Sequence, residues 1–576
     1  MAQSASHIRI DQVGFAPGET KQAYLMADRP LPFTVVDRRG RVVHKGTAGR
    51  DLGAWNDTYR HVYQLDLTPL RRPGSYRVKA GGLTSAEFAV APPMSLTVPA
   101  AKVVTFFNGQ RDRWHAGDKA AQVYDWPTFT NPGTDQIKGD LTRLDGGPVD
   151  VSGGWFDAGD YLKFTHILAY VDTLLWAAKR DGAVDPRLLD EARHGTEYLD
   201  KMWDEKTKTL YIQVGIGAGN AEGTFAGDHD IWRMPEEDDS STEKYIKHRP
   251  VFRAAAPGQP ISPNLAGRTA AAFALAAQVE PSRARARQLL EKGASIYAMA
   301  KTENVGQLVT SLPHAFYPES IWRDDMELGG AELALAALRL RDPRAGEWLK
   351  QAAHWAGQYL SHDAGGDTLN LYDVSALAHA DLVKAIRKAH AGGLAVTQDQ
   401  LIGDLKAQLE IGATRAASDP FHAGARYDQF DSVPRTFGLA ATSRLYRGVT
   451  GDRAYDAFGT RQRGWAFGAN AWGVSFVSGV GENAISCPHY QMSNITGRPP
   501  TGAVVNGPNN VSLFESGLGG HMDRMRPCPA DGVDRYAEFT GKGSRFVDDV
   551  RSWQASEPAD DFAAIALYAM TLMSRD

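Results

Sequence analysis

The periodicity of apolar residues changes once along this chain, near residue 98, and that change limits the folds open to it. Before it, short alternating segments read as strands: His7-Ile8-Arg9-Ile10, a hairpin of Phe33–Asp37 and Arg41–Val43 around Arg38-Arg39-Gly40, then Val62–Leu67, Ser75–Val78 and Glu87–Val90. Regularly spaced strands without helices predict a small antiparallel sandwich. After it, apolar residues recur at helical spacing over about 99–110, 165–180, 186–203, 264–279, 282–300, 327–340, 344–360, 373–391, 437–449, 452–467 and 560–574. Asp185-Pro186 and Ser262-Pro263 carry helix-start signals. The connections alternate between short ones and long Gly/Pro/Asn-rich ones, notably 112–164, 211–262 and 468–559. That alternation predicts a ring of helical hairpins with the long loops gathered over one end. Loops of such length inside a compact domain commonly carry function.

The predicted organisation is a multidomain one. An all-β sandwich spans residues 1–92, a short stiff linker spans 93–98, and an all-α domain spans 99–576. A net charge of -5 gives no reason to expect nucleic acid as a partner. No apolar run reaches the roughly 18 residues of a membrane span, so no membrane partner is expected either. Cys487 and Cys528 are the two cysteines; they can pair or stay free, and no metal-ligand spacing accompanies them. Met1-Ala2-Gln3-Ser4-Ala5-Ser6 lacks the apolar core of a signal peptide, which leaves an intracellular protein or a removed signal.

Two acidic–aromatic segments fall within the long loops or at their ends. Gly153-Gly154-Trp155-Phe156-Asp157-Ala158-Gly159-Asp160-Tyr161-Leu162-Lys163-Phe164 sets two carboxylates three residues apart on glycine-loosened backbone among aromatic rings. Glycine lets a substrate approach the main chain closely, and aromatic faces suit sugar rings. Phe546 to Ala564 brings Asp548, Trp553 and Glu557. Hydrolysis of a glycosidic bond with inversion needs one protonated carboxyl for the leaving oxygen and one carboxylate to activate water from the opposite face. Those two groups need different environments at one pH. Glu557 has aromatic neighbours and no basic residue nearer than Arg551, so desolvation should raise its pKa.

Five segments in order resemble glycoside hydrolase family nine, the inverting cellulases and their relatives. They are Ile10-Asp11-Gln12-Val13-Gly14-Phe15, Gly153 to Phe164, Asp228-His229-Asp230-Ile231-Trp232-Arg233-Met234-Pro235-Glu236, Ser475 to Gln491, and Phe546 to Ala559. The resemblance implies an N-terminal immunoglobulin-like domain, an (α/α)6 toroid, and cleavage of β-1,4-glucosidic bonds in cellulose-like glucans by a monomer. Among its residues it implies Asp160 as general base, Asp157 as its helper on the same water, and Glu557 as general acid. It places His489, Asp548, His229, Trp232, Trp553 and Gln491 at the substrate, with Asp548 also orienting Glu557 and Trp232 stacking on a sugar. It implies no catalytic cofactor, allows a structural Ca²⁺ whose ligands the sequence does not place, and points to a secreted protein. The alternatives in the same chemistry are an exo-acting β-glucosidase or exo-β-glucosaminidase; outside it, a sugar-binding protein without catalysis. Three positions depart from the family pattern: Gln491 where an arginine is usual, Ala563 where an asparagine is usual, and Leu328 where a helix tryptophan is usual. Glutamine replaces neither the charge nor the fork of arginine. These changes favour an unusual β-glycan, a short oligosaccharide or an amino sugar. The acidic run Glu236-Glu237-Asp238-Asp239 in loop 211–262 would favour a cationic sugar.

Overall fold

A computed structural model describes residues 6–576; positions 1–5 of the expected first domain lie outside the described residues. Strands β1 (His7–Arg9), β2 (Gln22–Met26) and β5 (Val62–Asp66) form one sheet in the order β1-β2-β5. Strands β3 (Pro32–Asp37), β4 (Val42–Thr47), β6 (Gly74–Ala80), β7 (Leu83–Thr84) and β8 (Phe88–Val90) form the other, ordered β4-β3-β6-β7 with β8 beside β6. Both sheets are antiparallel, and Leu25, Leu65, Val35, Val78 and Phe88 fill the space between them. The stretch expected as a linker is a 3₁₀ turn, Pro93–Leu96, that runs directly into the first helix.

Twelve long helices follow among the described residues. They are α1 (Thr97–Gln110), α2 (Thr165–Arg180), α3 (Arg187–Met202), α4 (Pro263–Val279), α5 (Arg283–Tyr297), α6 (Arg323–Leu340), α7 (Ala345–His362), α8 (Ser375–Ala389), α9 (Gln398–Ser418), α10 (Ser432–Thr450), α11 (Asp456–Ala466) and α12 (Asp560–Met573). The even-numbered helices pack side by side, α2 on α4, α4 on α6, and so on until α12 closes on α2. The odd-numbered ones lie outside them. Burial follows this plan: α2, α4 and α12 are buried nearly all round, whereas α9 buries only a narrow stripe of Leu401, Leu405, Leu409 and Ala416. A helix apolar on every side belongs inside, and one with a single stripe belongs at the surface.

Each inner helix is entered through a long connection, and α2, α4, α6, α8 and α10 are left through a short one. The six long connections therefore gather at the N-terminal ends of the inner helices, where unpaired N–H groups and helix dipoles favour negative charge. Two of these connections hold a small sheet of β9 (Val123–Tyr124), β10 (Lys163–Phe164), β12 (Thr209–Val214) and β13 (Val251–Arg253), with β11 (Trp203–Asp204) paired to β12. Strand β10 is the downstream end of the Gly153–Phe164 segment, so the acidic turn is anchored to a sheet on that side.

Two expectations need correction. Helix α9 was not expected, because its single stripe among polar residues gives a weak periodic signal; its start is nevertheless marked by a capping box between Thr397 and Gln400. Helix α10 begins at Ser432 rather than near 437, since Pro434 sits in its first turn, where its missing N–H costs nothing.

Candidate active site

Asp157 and Asp160 lie on the turn that leads into α2, and Glu557 lies just before α12, which packs against α2. Adjacent inner helices thus bring together carboxyls that are far apart in sequence. The link between them is direct. The Gly159 amide faces Glu557 Oε1 at 3.4 Å, and Gln491 N–H donates to the Gly159 carbonyl at 3.0 Å. A Cβ on Gly159 would lie 2.1 Å from the His489 carbonyl oxygen and 3.4 Å from Glu557 Oε1. Only glycine lets these strands of backbone approach so closely.

Asp160 is held by two donors. Its Oδ1 accepts from Leu162 N–H at 2.9 Å, and its Oδ2 accepts from His229 Nε2 at 3.0 Å. The other ring nitrogen of His229 donates to Asp135 Oδ2 at 2.8 Å. Burial opposes charge on this imidazole, but the hydrogen bonds to Asp135 and Asp160 overcome it and hold the pKa well above the ordinary histidine value. His229 is therefore a cation clamped between the side chains of Asp135 and Asp160.

Asp157 has the opposite surroundings. It is 2 % exposed, its Oδ2 accepts from the Tyr317 hydroxyl, and its buried Oδ1 has no partner among the described residues. Burial first, then the charge of Asp160, pushes its pKa well above the usual carboxylate range. Glu557 moves the same way: burial, then Asp160, pushes it up to about 8. The site thus sets Asp160, hydrogen-bonded to His229, beside two carboxyls biased towards the protonated form. Glu557 does not cap α12, whose N-cap is Ala559; its main-chain carbonyl instead accepts from Asn506 N–H.

The remaining predicted residues divide between the cleft and its wall. His489 donates from Nδ1 to the Val550 carbonyl; burial lowers its pKa and keeps the ring neutral. Trp553 is 40 % exposed and stacks on the equally open Phe430, rings 6.1 Å apart and 16° from parallel. Trp232, expected to stack on a sugar, is instead buried against Met525 and Val550 with one edge on His489. Gln491, expected at the substrate, is 2 % exposed, and its Oε1 accepts from Arg233 N–H. Asp548 accepts from Ser486 N–H and Oγ–H and from Cys487 N–H; it braces the irregular segment that leads to His489 rather than Glu557. The acidic run 236–239, expected to favour a cationic sugar, is divided: Glu236 and Glu237 are exposed, whereas the two aspartates are engaged by the protein itself. Asp238 is buried in ion pairs with Arg233 and His115, and Asp239 receives the Ala116 N–H.

Neither Asp135 nor Tyr317 stands out as a site residue in the sequence. Asp135 sits in a polar loop with nothing local to distinguish it from a surface aspartate. Tyr317 precedes α6 and was legible only as an aromatic near a helix start. Cys487 and Cys528 form a disulfide, so the segment before His489 is tied to the loop carrying Met525.

Comparisons with known proteins identify the family. The profile of glycosyl hydrolase family 9 matches residues 99–570, and that of the cellulase N-terminal Ig-like domain matches residues 3–85. Endoglucanase C of Cellulomonas fimi is 25% identical over 96% of this chain, and endoglucanase A of Bacillus pumilus is 24% identical over 71% of it. The aligned regions span 50% and 62% of those two relatives, so the chain covers less than two thirds of either. The solved structure of AaCel9A in complex with cellobiose-like isofagomine superposes with a TM-score of 0.73 at 21% identity, covering 99% of this chain and 100% of that one. A sandwich followed by a closed double ring of helices, with paired carboxyls at the inner helix N-termini, together with a match over most of its length, makes this chain a member of glycosyl hydrolase family 9.

Proposed function

We propose that the protein is an inverting, endo-acting hydrolase of β-1,4-glucans. The observation that carries this reading is the contrast in surroundings of two carboxyls joined through one glycine: Glu557, buried and raised to about 8, and Asp160, hydrogen-bonded to the His229 ring. In that arrangement Glu557 gives its proton to the glycosidic oxygen as the bond to the anomeric carbon breaks. Asp160 takes a proton from the water that attacks the opposite face, and the released sugar carries inverted configuration. Asp157, protonated and tied to Tyr317, contributes a neutral hydrogen-bond partner for the same water. His489 Nε2 and the Phe430–Trp553 pair supply sugar contacts.

The names of the curated relatives and the cellobiose-like ligand of AaCel9A support a β-glucan as substrate. The Cys487–Cys528 disulfide supports an oxidising, extracellular location. Among the described residues no helix is long and apolar enough to cross a membrane.

An exo reading has one observation in its favour. Arg524, in the disulfide-tied loop that packs on Trp232, pairs with Glu237 across the cleft wall and could close one end. A product profile separates the two. On cello-oligosaccharides and mixed-linkage glucan, a ladder of products supports endo cleavage; monomer alone overturns it. Glu557→Gln should lower either activity by a factor of about 10²–10⁴, and unchanged turnover would contradict the assigned chemistry.

A further inference from the structure

Asp112, His115 and Asp118 bring three potential metal-ligating atoms within 4.8 Å of one another, all buried, in the loop that precedes the acidic turn. The family resemblance allows a structural divalent cation, and this is the group of described residues whose spacing suits one. The surroundings do not leave room for it. Lys163 Nζ reaches Asp112 Oδ2 and Asp118 Oδ2 at 2.8 Å each, the Val151 carbonyl at 3.0 Å and the Gly153 carbonyl at 2.9 Å. Its side chain is wholly buried. Arg249 Nη1 reaches the same two carboxylate oxygens at 3.2 Å, and its Nη2 donates to the Tyr161 carbonyl. Both nitrogens of His115 face carboxylates, Asp112 at 2.8 Å and Asp238 at 2.9 Å, so neither offers a free lone pair.

We infer that Lys163 is a built-in cation that takes the place of a structural metal ion and, with Arg249, positions the acidic turn. Two carboxylate oxygens and two main-chain carbonyls around one ammonium are the hard oxygen set that Ca²⁺ would select. The positioning follows from where the carbonyls lie. Val151 and Gly153 precede Asp157 and Asp160, and Tyr161 follows them, so the two cations grip the turn at both ends. The inference rests on the proposed roles of those aspartates, but its metal-binding content does not. The same self-neutralisation recurs nearby, where Arg268 fills the space between Glu319 and Asp325, and Arg233 that between Asp228 and Asp238.

The test has a wild-type arm and a variant arm. After EDTA and desalting, the wild-type protein should keep its melting temperature and kcat, and added CaCl2 should change neither. Loss of a bound divalent ion with loss of stability or activity in wild type would overturn the inference. Lys163→Ala should melt lower and lose roughly tenfold to a hundredfold in kcat with little change in KM, as displaced catalytic groups do. Adding CaCl2 should raise its melting temperature and recover part of kcat, with about one ion bound per chain by metal analysis. Lys163→Ala that matches wild type without metal, or that binds no ion, would sink it. If that variant does not fold, Lys163→Ala expressed and refolded with CaCl2 should yield soluble protein that EDTA unfolds, and failure in both conditions counts against a metal-sized site.

Discussion

At the scale of single residues, the site works by giving chemically similar carboxyls different neighbours. Glu557 raised to about 8 must be protonated to act as an acid, so the active form is present below that pH and is lost above it. The account predicts that kcat/KM falls about tenfold per pH unit above about 8, and that Glu557→Gln removes this limb together with a factor of about 10²–10⁴ in kcat. Asp135 acts through His229. Asp135→Asn keeps the shape but removes the charge that holds the imidazole protonated, a hydrogen bond to a charged group worth about 1.5–3 kcal/mol. The expected result is a kcat roughly ten- to a hundredfold lower, with an added pH-dependent limb as His229 loses its proton. Asp157, Asp160 and Glu557 were legible in the sequence because their motifs are contiguous. Asp135 was not, because its partner lies on another loop and only folding introduces them. Trp232 and Gln491 misled for the converse reason: a motif names residues near a site without saying which of them face it.

At the scale of elements, glycine and a disulfide hold the site together. Gly159→Ala would drive a methyl carbon into the His489 carbonyl, which lies 2.1 Å from the required position. Main chain cannot yield as a side chain can, so the turn must separate from Glu557. Activity should be lost out of proportion to any drop in melting temperature, which kcat and calorimetry on one preparation will show. The Cys487–Cys528 bond spans a separation of 41 residues, and removing such a cross-link costs about 4 kcal/mol in the chain-entropy account. Cys487→Ser/Cys528→Ser should therefore melt lower. It should also bind substrate less well, since Cys487 is two residues from His489. The pairing itself could not be read from sequence, where two cysteines with no spacing signal leave both states open. Helix α9 shows a related limit: an outer helix needs only a thin apolar stripe, and tertiary packing supplies the rest.

At the scale of the whole molecule, the ring sets the chemistry by placing six helix N-termini under one cleft, which suits a site built from carboxylates. The alternation of long and short connections made that architecture legible in the sequence. The attachment of the sandwich was not legible. Arg463, at the end of α11, is buried at 2 % exposure and pairs with Asp11 and Glu19 of the first domain while donating to the Gly14 carbonyl. Breaking a buried pair costs about 3–5 kcal/mol, so Arg463→Ala should uncouple the two parts and turn a single calorimetric transition into two. The central claim concerns the reaction, and the configuration of the first product tests it most directly. Proton NMR of cello-oligosaccharide hydrolysis, recorded before mutarotation, should show the α-anomer appearing first at the newly formed reducing end. Initial release of the β-anomer would contradict inversion, and with it the assignment of Asp160 as the base that activates water.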